Sequence, residues 1–373
     1  MIAFSRNSKS MIANWWWTVD KTLLALIGSL LVIGAFLNFT ASPAVANRIN
    51  VGSYHFIKKQ FIFLPVACSA ILFLSMLGLK HIRRIAVLGY VFTLGLMVLT
   101  LFVGEATKGA SRWIDLGFFS LQPSEFVKPT FIVVAAWLFD GQRKYQDFPG
   151  TVISLVLLGV TVILLMLQPD VGMTIVVSLI WFFQLFLMGI PWWLVGALCL
   201  FGVVAASGAY FLFPHVQARL ASFGGEISYQ VMKSLKAFEN GGIFGVGHGE
   251  GVVKMNIPDA HTDFIFAVAA EEYGMFFCLF IVGIYAAIVI RSMLLSCKEN
   301  NLFIILATAG LVASFGLQGI INMASTMHLG PTKGMALPLI SYGGSSLLAA
   351  SIGLGVLLAV TRKNVHAEER DEN

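Results

Sequence analysis

Ten apolar segments, each about as long as a bilayer is thick, recur along this 373-residue chain. A helix needs roughly 20 mostly apolar residues to cross the hydrocarbon layer, and only helices or closed barrels satisfy their backbone groups there. The segments are residues 19–40, 60–80, 84–104, 123–140, 150–168, 171–189, 191–213, 263–292, 303–326 and 340–361. They predict an all-α integral membrane protein with about ten transmembrane helices.

Composition agrees with this class and excludes others. Hydrophobic residues make up 58% of the chain and charged residues 12%, whereas a soluble domain has about 25% charged residues. The net charge of +5 is spread along the sequence, so we expect no nucleic-acid partner. The cysteines are far apart and form no metal-binding or disulfide pattern, which favours small buried side chains.

The positions of Lys and Arg predict the orientation of the helices. An even number of spans places both termini on one side, which carries thirteen Lys and Arg; the other side carries seven once the longest loop is left out. The positive-inside rule then predicts cytoplasmic termini. We expect a cytoplasmic segment over 1–18, one membrane domain over 19–362 and a charged cytoplasmic tail over 363–373. The longest loop, 214–262 between helices 7 and 8, is predicted to be extracytoplasmic.

The long loop has two recognisable parts. Residues 216–223 and 229–238 have helix-compatible apolar spacing, which predicts two short helices on the membrane surface. A glycine-rich run follows over 241–251, here called the glycine loop. No strand precedes it, so it does not fit a nucleotide-binding motif. It predicts tight backbone turns; the alternative is that its bare amides bind an anionic headgroup.

An isolated acid, Asp263, lies where the long loop enters the eighth span. Acids cost roughly 2.5–3.5 kcal/mol each to insert into hydrocarbon, so they usually serve a function there. We predict that Asp263 is the catalytic residue if the chain is an enzyme. His261 is interpreted as an assistant of that acid or as a hydrogen-bonded interface histidine. Glu271 and Glu272 are predicted to be internal partners of buried cations.

Small residues follow Asp263 along the same helix. Ala267, Ala270 and Gly274 lie within about 40° of it at 3.6 residues per turn. This stripe is either an open groove for a lipid-linked sugar or a seam for close helix packing. Replacing Ala270 with Leu would distinguish them, because the groove predicts a folded, inactive protein and the seam predicts misassembly.

A polar segment leads from the third span into the start of the fourth, and it contains three further charged residues of interest. Ser124 is predicted to cap a helix that Glu125 begins, and Glu125 and Lys128 are spaced to pair on one helix face. A lysine one turn into an apolar span needs such a partner or a polar cavity. Arg112 beside Trp113 fits a membrane-interface anchor or a cation near a substrate.

A third polar segment, residues 331–346, precedes the last span and contains two prolines and several glycines around Lys333. Irregular backbone of this kind is stable at membrane depth only where it is buried in protein or lines a wet cavity. Ser345 and Ser346 follow two glycines but do not form a nucleophile elbow, so we expect them to let helices approach closely.

Five motifs, in this order along the chain, together resemble the SEDS family (shape, elongation, division and sporulation). They are Lys108–Ile114, Gln122–Glu125, Gln168–Gly172, His261–Ala267 and Lys333–Ser346. The resemblance implies a ten-helix membrane glycosyltransferase that polymerises lipid II into peptidoglycan. The first and last motifs are more similar to the family's cell-division member than to its elongation member.

The resemblance also implies roles for individual residues. The family's catalytic aspartate falls on Asp263, and its lysine before the last span falls on Lys333. As a general base acting on a sugar hydroxyl, the aspartate would contribute roughly 10²–10⁴-fold in rate, while cations stabilise the departing diphosphate. The candidate cations are Lys333, Arg112 and Lys128, with Mg²⁺ or Mn²⁺ as a further option and no protein metal site assigned. The predicted substrate-binding residues are Lys333, Arg112, Glu125, Lys128, His261, Thr262, Lys254, Gln230, Ser341 and Tyr342.

The sequence departs from the family pattern at two positions. Asp259 stands where the family usually has Glu, and Glu250 precedes Gly251 where the family often has a serine after the glycine run. Both departures affect the expected contacts with the headgroup and leave the reaction class unchanged.

Two rival functions stay open beside the polymerase. A transporter that flips the lipid-linked precursor would use the same intramembrane charges and irregular helices. A non-catalytic scaffold of the division machinery would tolerate replacement of Asp263 by Asn. The resemblance further implies a single-span class B penicillin-binding transpeptidase and other division proteins as partners. It also implies location in the bacterial inner membrane at the division septum.

Overall fold

The computed structural model of the protein describes residues 10–48, 51–52, 54–107, 110–117, 119–145, 147–189, 228–331 and 334–363, with single positions between 196 and 217. Its helices are α1 Met11–Thr18, α2 Lys21–Arg48, α3 His55–Ser75, α4 Leu79–Val103, α5 Pro123–Lys144, α6 Gly150–Leu167, α7 Val171–Leu187, α8 Tyr229–Gly241, α9 Ile265–Ser296, α10 Leu302–Thr326 and α11 Gly344–Val360. A short 3-10 helix covers Val253–Asn256. The helical fold predicted from the apolar segments is confirmed.

Six of these helices are long and apolar enough to cross a membrane: α2, α3, α4, α6, α9 and α10. α7 and α11 are shorter apolar helices, and α5 has a buried middle with charged residues near both ends. Nine predicted spans thus correspond to helices. The seventh, 191–213, falls mostly outside the part of the chain that the structure describes, as does the predicted surface helix 216–223. The total of ten spans therefore stays a prediction.

Several predicted boundaries are wrong by about one turn. α3 begins at His55 rather than residue 60, and α4 begins at Leu79 rather than residue 84. In both cases the polar first turn of the helix had been assigned to a loop. Lysine and arginine are tolerated at helix ends because their long side chains reach the interface. α1 was not predicted at all, although Ser10 caps it and the Trp15 indole donates to Ser75 Oγ at 2.8 Å.

The segment before α5 contains a small antiparallel sheet that was not predicted. Its strands are β1 Glu105–Thr107, β2 Ala110–Asp115 and β3 Ser120–Leu121, in the order β1–β2–β3. α5 then begins at Pro123, with Gln122 as its N-cap. The predicted capping by Ser124 is wrong, because a proline at the first helical position starts the helix two residues before Glu125.

The two ends of the described chain lie at the same end of the helix bundle. The backbone N–H of Lys363 donates to Thr18 O at 2.9 Å, and the Arg291 guanidinium pairs with the Asp20 carboxylate at 2.6 Å. Burial raises the pKa of Asp20, but the hydrogen bonds from Arg291 and from the Leu23 N–H, together with the charges of Arg291 and Lys363, outweigh this and hold the pKa below its usual value. That this end faces the cytoplasm stays a prediction.

α9 is interrupted at Gly274, whose φ of 76° and ψ of −175° are not helical. A break in a membrane-spanning helix leaves backbone groups that need other partners. The glycine loop supplies them: Glu271 O accepts from the N–H of Val246 at 2.9 Å, and Glu272 O accepts from the N–H of Gly247 at 3.0 Å. The glycine loop therefore completes the hydrogen bonding of the broken helix.

Glycine is required where the two backbones touch. A Cβ on Gly274 would lie 2.3 Å from Ile243 O, and one on Gly245 would lie 2.2 Å from Glu272 O. Both residues have positive φ. The tight-turn interpretation of the glycine loop is confirmed. The anion-site alternative has no support at positions 246 and 247, because those amides already donate to α9.

The small-residue stripe of α9 is a packing seam in this structure. Ala267 and Ala270 are buried, and a Cβ on Gly241 of α8 would lie 2.0 Å from Ala270 O. The stripe also ends at Gly274, where the helix breaks. The open-groove hypothesis beneath Asp263 is therefore not supported, and α8 with the glycine loop covers this face.

Candidate functional site

Asp263 is half-buried and lies just before α9. Hydrogen bonds to the backbone carbonyl groups of residues 261–263 hold this part of the chain in place. The carbonyl oxygens of three consecutive residues each accept a hydrogen bond from α10 or from the segment before α11. The pairs are His261 O with Tyr342 N at 2.9 Å, Thr262 O with Ser341 Oγ, and Asp263 O with Asn322 Nδ2 at 2.9 Å. An acid on so constrained a backbone is held in one place.

The amide side of the same segment is fixed by a tight turn. The N–H groups of Thr262 and Asp263 both donate to Asp259 O at 3.1 Å, and the Thr262 hydroxyl donates to the same oxygen. Asp259 has a φ of 54°, in the left-handed region that Asp and Asn tolerate better than most residues. The Thr262 side chain thus serves the turn.

The carboxylate of Asp263 faces the backbone at Gly334, where its Oδ2 would be 3.2 Å from a Cβ. The chain that follows Gly334 is stabilised by Ser341, whose hydroxyl accepts from the N–H of Leu337 at 2.8 Å. Lys333 lies outside the residues that the structure describes, so its predicted role stays a prediction. The structure does bring together Asp263, His261, Thr262, Ser341 and Tyr342.

His261 is enclosed by aromatic rings. Its ring centroid lies 4.5 Å from that of Phe56 and 5.0 Å from that of Tyr342. Burial lowers the pKa of His261 to about 4, against the opposing effect of the Asp259 charge. At neutral pH His261 is therefore uncharged. Its Nδ1 has no hydrogen-bond partner among the described residues, and both predicted roles for this histidine stay predictions.

Glu125 and Lys128 form the predicted ion pair, with Lys128 Nζ 2.7 Å from Glu125 Oε2. The Lys128 side chain is only 3% exposed, so the pair is buried. It lines a small cavity of about 30 Å³ between α5, α10 and α11. Ser314 and Gln318 of α10 add polar groups to an otherwise apolar lining. The predicted pairing of this lysine with Glu125 is confirmed.

Arg112 joins β2 to the turn between α6 and α7. Its guanidinium donates to Gln168 O at 2.9 Å and to Pro169 O, and lies 3.6 Å from the carboxylate of Asp170. Asp170 also caps α7 through the N–H of Met173. Because these groups occupy the guanidinium, the geometry supports a structural role for Arg112 better than a role with substrate.

Lys254 and the two acids of α9 form a buried cluster beneath the long loop. Lys254 Nζ pairs with Glu272 Oε1, as predicted for that acid. Glu271 instead accepts from the backbone N–H of Val253 and of Lys254, both at 2.7 Å, and from Asn240 Nδ2 at 2.9 Å. Among the described residues no cation pairs with Glu271, so the predicted cation partner is not found there. Lys254 is 2% exposed and holds the loop, so we do not place it at the proposed substrate site.

Gln230 lies at the second position of α8 and is half-buried. Within the described residues, no hydrogen bond joins its side chain to the Asp263 segment. Its predicted contact with substrate stays a prediction.

Sequence reasoning missed the polar residues of α10. Gln318 lines the Glu125–Lys128 cavity, and Asn322 donates to the carbonyl of Asp263. They are four residues apart, so they lie on one face of the helix. The sequence did contain a signal for them, because both are amide side chains within a predicted membrane span. Polar side chains are energetically costly there and are usually functional.

Comparison with known proteins agrees with the predicted family. The family model for FtsW, RodA and SpoVE, described as a cell cycle protein, matches residues 21–366. A Caulobacter vibrioides protein named probable peptidoglycan glycosyltransferase FtsW is 40% identical over 369 residues, covering 97% of this chain and 94% of the relative. A Coxiella burnetii protein of the same name is 34% identical, covering 92% of this chain and 96% of the relative.

Solved structures show the same fold. A structure described as "Structural coordination of polymerization and crosslinking by a peptidoglycan synthase complex" has a TM-score of 0.77 and 27% identity, over 93% of this chain and 98% of that one. The crystal structure of the Thermus thermophilus rod shape determining protein RodA has a TM-score of 0.67 and 27% identity, over 93% and 97% of the two chains. With its multiple membrane-spanning helices, this protein is therefore a member of the FtsW/RodA/SpoVE family.

Proposed function

We propose that this protein is a peptidoglycan glycosyltransferase that polymerises lipid II into glycan strands during septal wall synthesis. The observation that carries the proposal is the half-buried carboxylate of Asp263, whose backbone is fixed by hydrogen bonds to three consecutive carbonyls. A base in a fixed position is what deprotonation of a weak nucleophile requires. The names of the FtsW relatives agree with this reaction class.

In the proposed reaction, the 4-hydroxyl of one disaccharide attacks the anomeric carbon of another. Asp263 takes the hydroxyl proton as the carbon–oxygen bond forms, and the lipid diphosphate leaves with the electrons of the broken bond. A correctly placed general base contributes roughly 10²–10⁴-fold. Immobilising both reactants next to it contributes more, because bound reactants do not have to find each other.

The other charged residues divide into two groups. Lys333 remains the proposed partner of the departing diphosphate, because cations near developing negative charge lower the barrier. The buried Glu125–Lys128 pair would form a polar wall of the substrate site through the cavity it lines. Arg112 and His261 are not proposed as diphosphate ligands, because the first is occupied by backbone carbonyls and the second is uncharged.

A divalent cation remains an open element of this proposal. Within the described ranges, no group of three or more His, Cys, Asp or Glu could hold a metal ion. These residues do not form a protein cage for Mg²⁺ or Mn²⁺, so we derive no step through a metal. Mg²⁺ often relies on substrate phosphates for its ligands, and dependence on added metal tests this directly.

The proposal extends to a partner and a location. One similar structure is a synthase complex that coordinates polymerization with crosslinking. We propose that this chain likewise binds a single-span class B penicillin-binding transpeptidase and other division proteins. It would do so in the bacterial inner membrane at the septum. Affinity purification from membranes with the chain as bait, followed by mass spectrometry, tests the partner.

The decisive experiment compares wild type with Asp263→Asn, using purified protein, lipid II and electrophoretic resolution of glycan strands. Glu239→Gln of α8 is the control, because it neutralises an exposed carboxylate outside the Asp263 turn. We expect strands from wild type and from the control, and none from Asp263→Asn.

Other outcomes identify the rival functions. An Asp263→Asn protein that still moves precursor across liposomes, in a system where wild type makes no polymer, would indicate a transporter. Unchanged growth and division with Asp263→Asn, and no polymer from wild type, would indicate a scaffold.

A further inference from the structure

Asn322 of α10 connects two segments that are distant in the sequence. Its side-chain Nδ2 donates to Asp263 O at 2.9 Å and to Met335 O at 2.6 Å. The side chain is 1% exposed, so neither bond competes with water. One amide group thus holds the backbone of the acid against the segment that includes Gly334.

We propose that Asn322 is a positioning residue for the reaction: it sets the distance between the Asp263 backbone and the Gly334–Met335 backbone, and thereby aims the carboxylate. This inference rests on the proposed function. Asn322 itself does not contact the reacting atoms. It acts through the main chain of Asp263, so its loss should affect turnover more than substrate binding.

The chemistry of the site selects an amide. Two carbonyl oxygens must be satisfied from one direction by a side chain that is 1% exposed. An asparagine NH₂ group supplies two donors, an ionised aspartate supplies none, and a serine supplies one. Leucine resembles asparagine in shape but has no donor, so it would leave both carbonyls unpaired.

The effect on rate follows from the distances involved. General-base catalysis needs the carboxylate within hydrogen-bond reach of the hydroxyl, about 2.6–3.2 Å. A displacement of about 1 Å at a catalytic group can lower the rate about 10²-fold. Two neighbouring carbonyls are held by other donors, Tyr342 N and Ser341 Oγ, so loss of Asn322 should shift the acid and leave the segment in place.

The chain contains a matched control in Asn38 of α2. It is also buried, and its Nδ2 donates to two carbonyls, Gly34 O at 2.7 Å and Ile340 O at 2.8 Å. In both asparagines the Oδ1 atom is buried without a partner among the described residues. Asn38 therefore holds the same irregular segment before α11 through its bond to Ile340, while its other bond is to its own helix, and neither bond is to the Asp263 backbone.

The test compares Asn322→Leu with Asn38→Leu in the purified full chain, measuring thermal unfolding together with kcat and KM for lipid II. We expect similar losses of thermal stability in the two variants. Only Asn322→Leu should lower kcat, by about 10–100-fold, with KM changed less than about threefold. Equal losses of kcat in both variants, an unchanged kcat in Asn322→Leu, or a change confined to KM would overturn the inference.

Two further comparisons keep the result decisive. If Asn322→Leu does not fold, Asn322→Gln and Asn38→Gln are compared in the same way. Glutamine keeps the two donors at each position but adds a methylene that displaces the carbonyls. Again, only Asn322→Gln should lower kcat. Full activity of the Asn322 variants beside an inactive Asp263→Asn overturns this inference alone. Retained activity of Asp263→Asn overturns the proposed base and this inference together.

Discussion

The Oδ2 atom of Asp263 lies beside Gly334, so that a Cβ on this glycine would sit 3.2 Å from the oxygen and 4.0 Å from the carboxylate carbon. Gly334 also has a φ of 66°, in the left-handed region. Two independent reasons therefore favour glycine: the backbone conformation and the space beside the acid.

Replacing Gly334 with Ala should lower polymerisation at least tenfold while reducing stability only modestly. The methyl group would press on the carboxylate, and the left-handed conformation adds about 1–2 kcal/mol of strain. Strand synthesis and thermal unfolding of the purified variant measure both effects. The control is Gly330→Ala, because that glycine has open space and no positive φ. Normal activity in Gly334→Ala would show that the space beside Asp263 does not matter.

Replacing Gly274 with Ala should strongly destabilise the protein. The new Cβ would lie 2.3 Å from Ile243 O, against backbone that cannot move aside easily, and φ is 76°. Overpacking of this kind costs about 1–3 kcal/mol or more, in addition to the backbone strain. Gly283→Ala, in the same helix with nothing within 4 Å, should unfold at nearly the wild-type temperature. Equal unfolding temperatures for the two variants would contradict the observed break in α9.

Replacing Glu271 with Gln should loosen the loop that leads to Asp263. The carboxylate accepts from the N–H groups of Val253 and Lys254 at 2.7 Å, and a glutamine would turn its own NH₂ group toward one of these donors. Losing a hydrogen bond to a charged group costs roughly 1.5–3 kcal/mol. Hydrogen exchange of residues 252–257 should become faster, whereas Glu250→Gln on the exposed loop should not change it. Unchanged exchange in Glu271→Gln would mean that other contacts hold the loop.

Stability should decrease as pH falls from about 6.5 to about 4, and His261 should account for part of the decrease. Burial lowers the pKa of His261 in the folded protein to about 4, while an unfolded histidine has a pKa of 6.5. Within this window the unfolded chain binds a proton that the folded protein does not. The free energy of unfolding therefore decreases as the pH is lowered. The full effect is on the order of 3 kcal/mol.

The His261→Phe variant isolates this contribution. Phenylalanine fits among the rings of Phe56 and Tyr342 and does not titrate in this range. Unfolding temperatures measured from pH 7 to pH 4 should show a shallower decrease for the variant than for wild type. Parallel curves would indicate that the folded protein accommodates a charged His261.

The fold was predictable because its signal is local. Apolar length alone gives the membrane helices, and the spacing of Glu125 and Lys128 gives their ion pair, because residues three apart on a helix are neighbours whatever surrounds them. The sequence motifs likewise identified the family. The interpretation of Gly241–Gly251 as tight turns also followed from composition alone.

The remaining features depend on contacts between distant segments. Nothing near Arg112 in the sequence shows that the turn after α6 occupies its guanidinium. The hydrogen-bond donors of Glu271 come from the loop before α9 and from α8. The sequence around Glu271 therefore did not show that amide groups, rather than a cation, would pair with it. Asn322 was overlooked for the same reason, since its two acceptors are 59 and 13 residues away.

The break at Gly274 has a consequence for how the membrane holds this protein. The stretch of α9 after the break has 22 residues and reaches about 33 Å, enough to cross the bilayer alone. The stretch before it is about 13 Å long and is not needed for spanning. Asp263 lies just before this short stretch. Its position relative to the spanning part of α9 is therefore set by the protein contacts at the break, and we expect any change in bilayer thickness to reach the acid through those contacts.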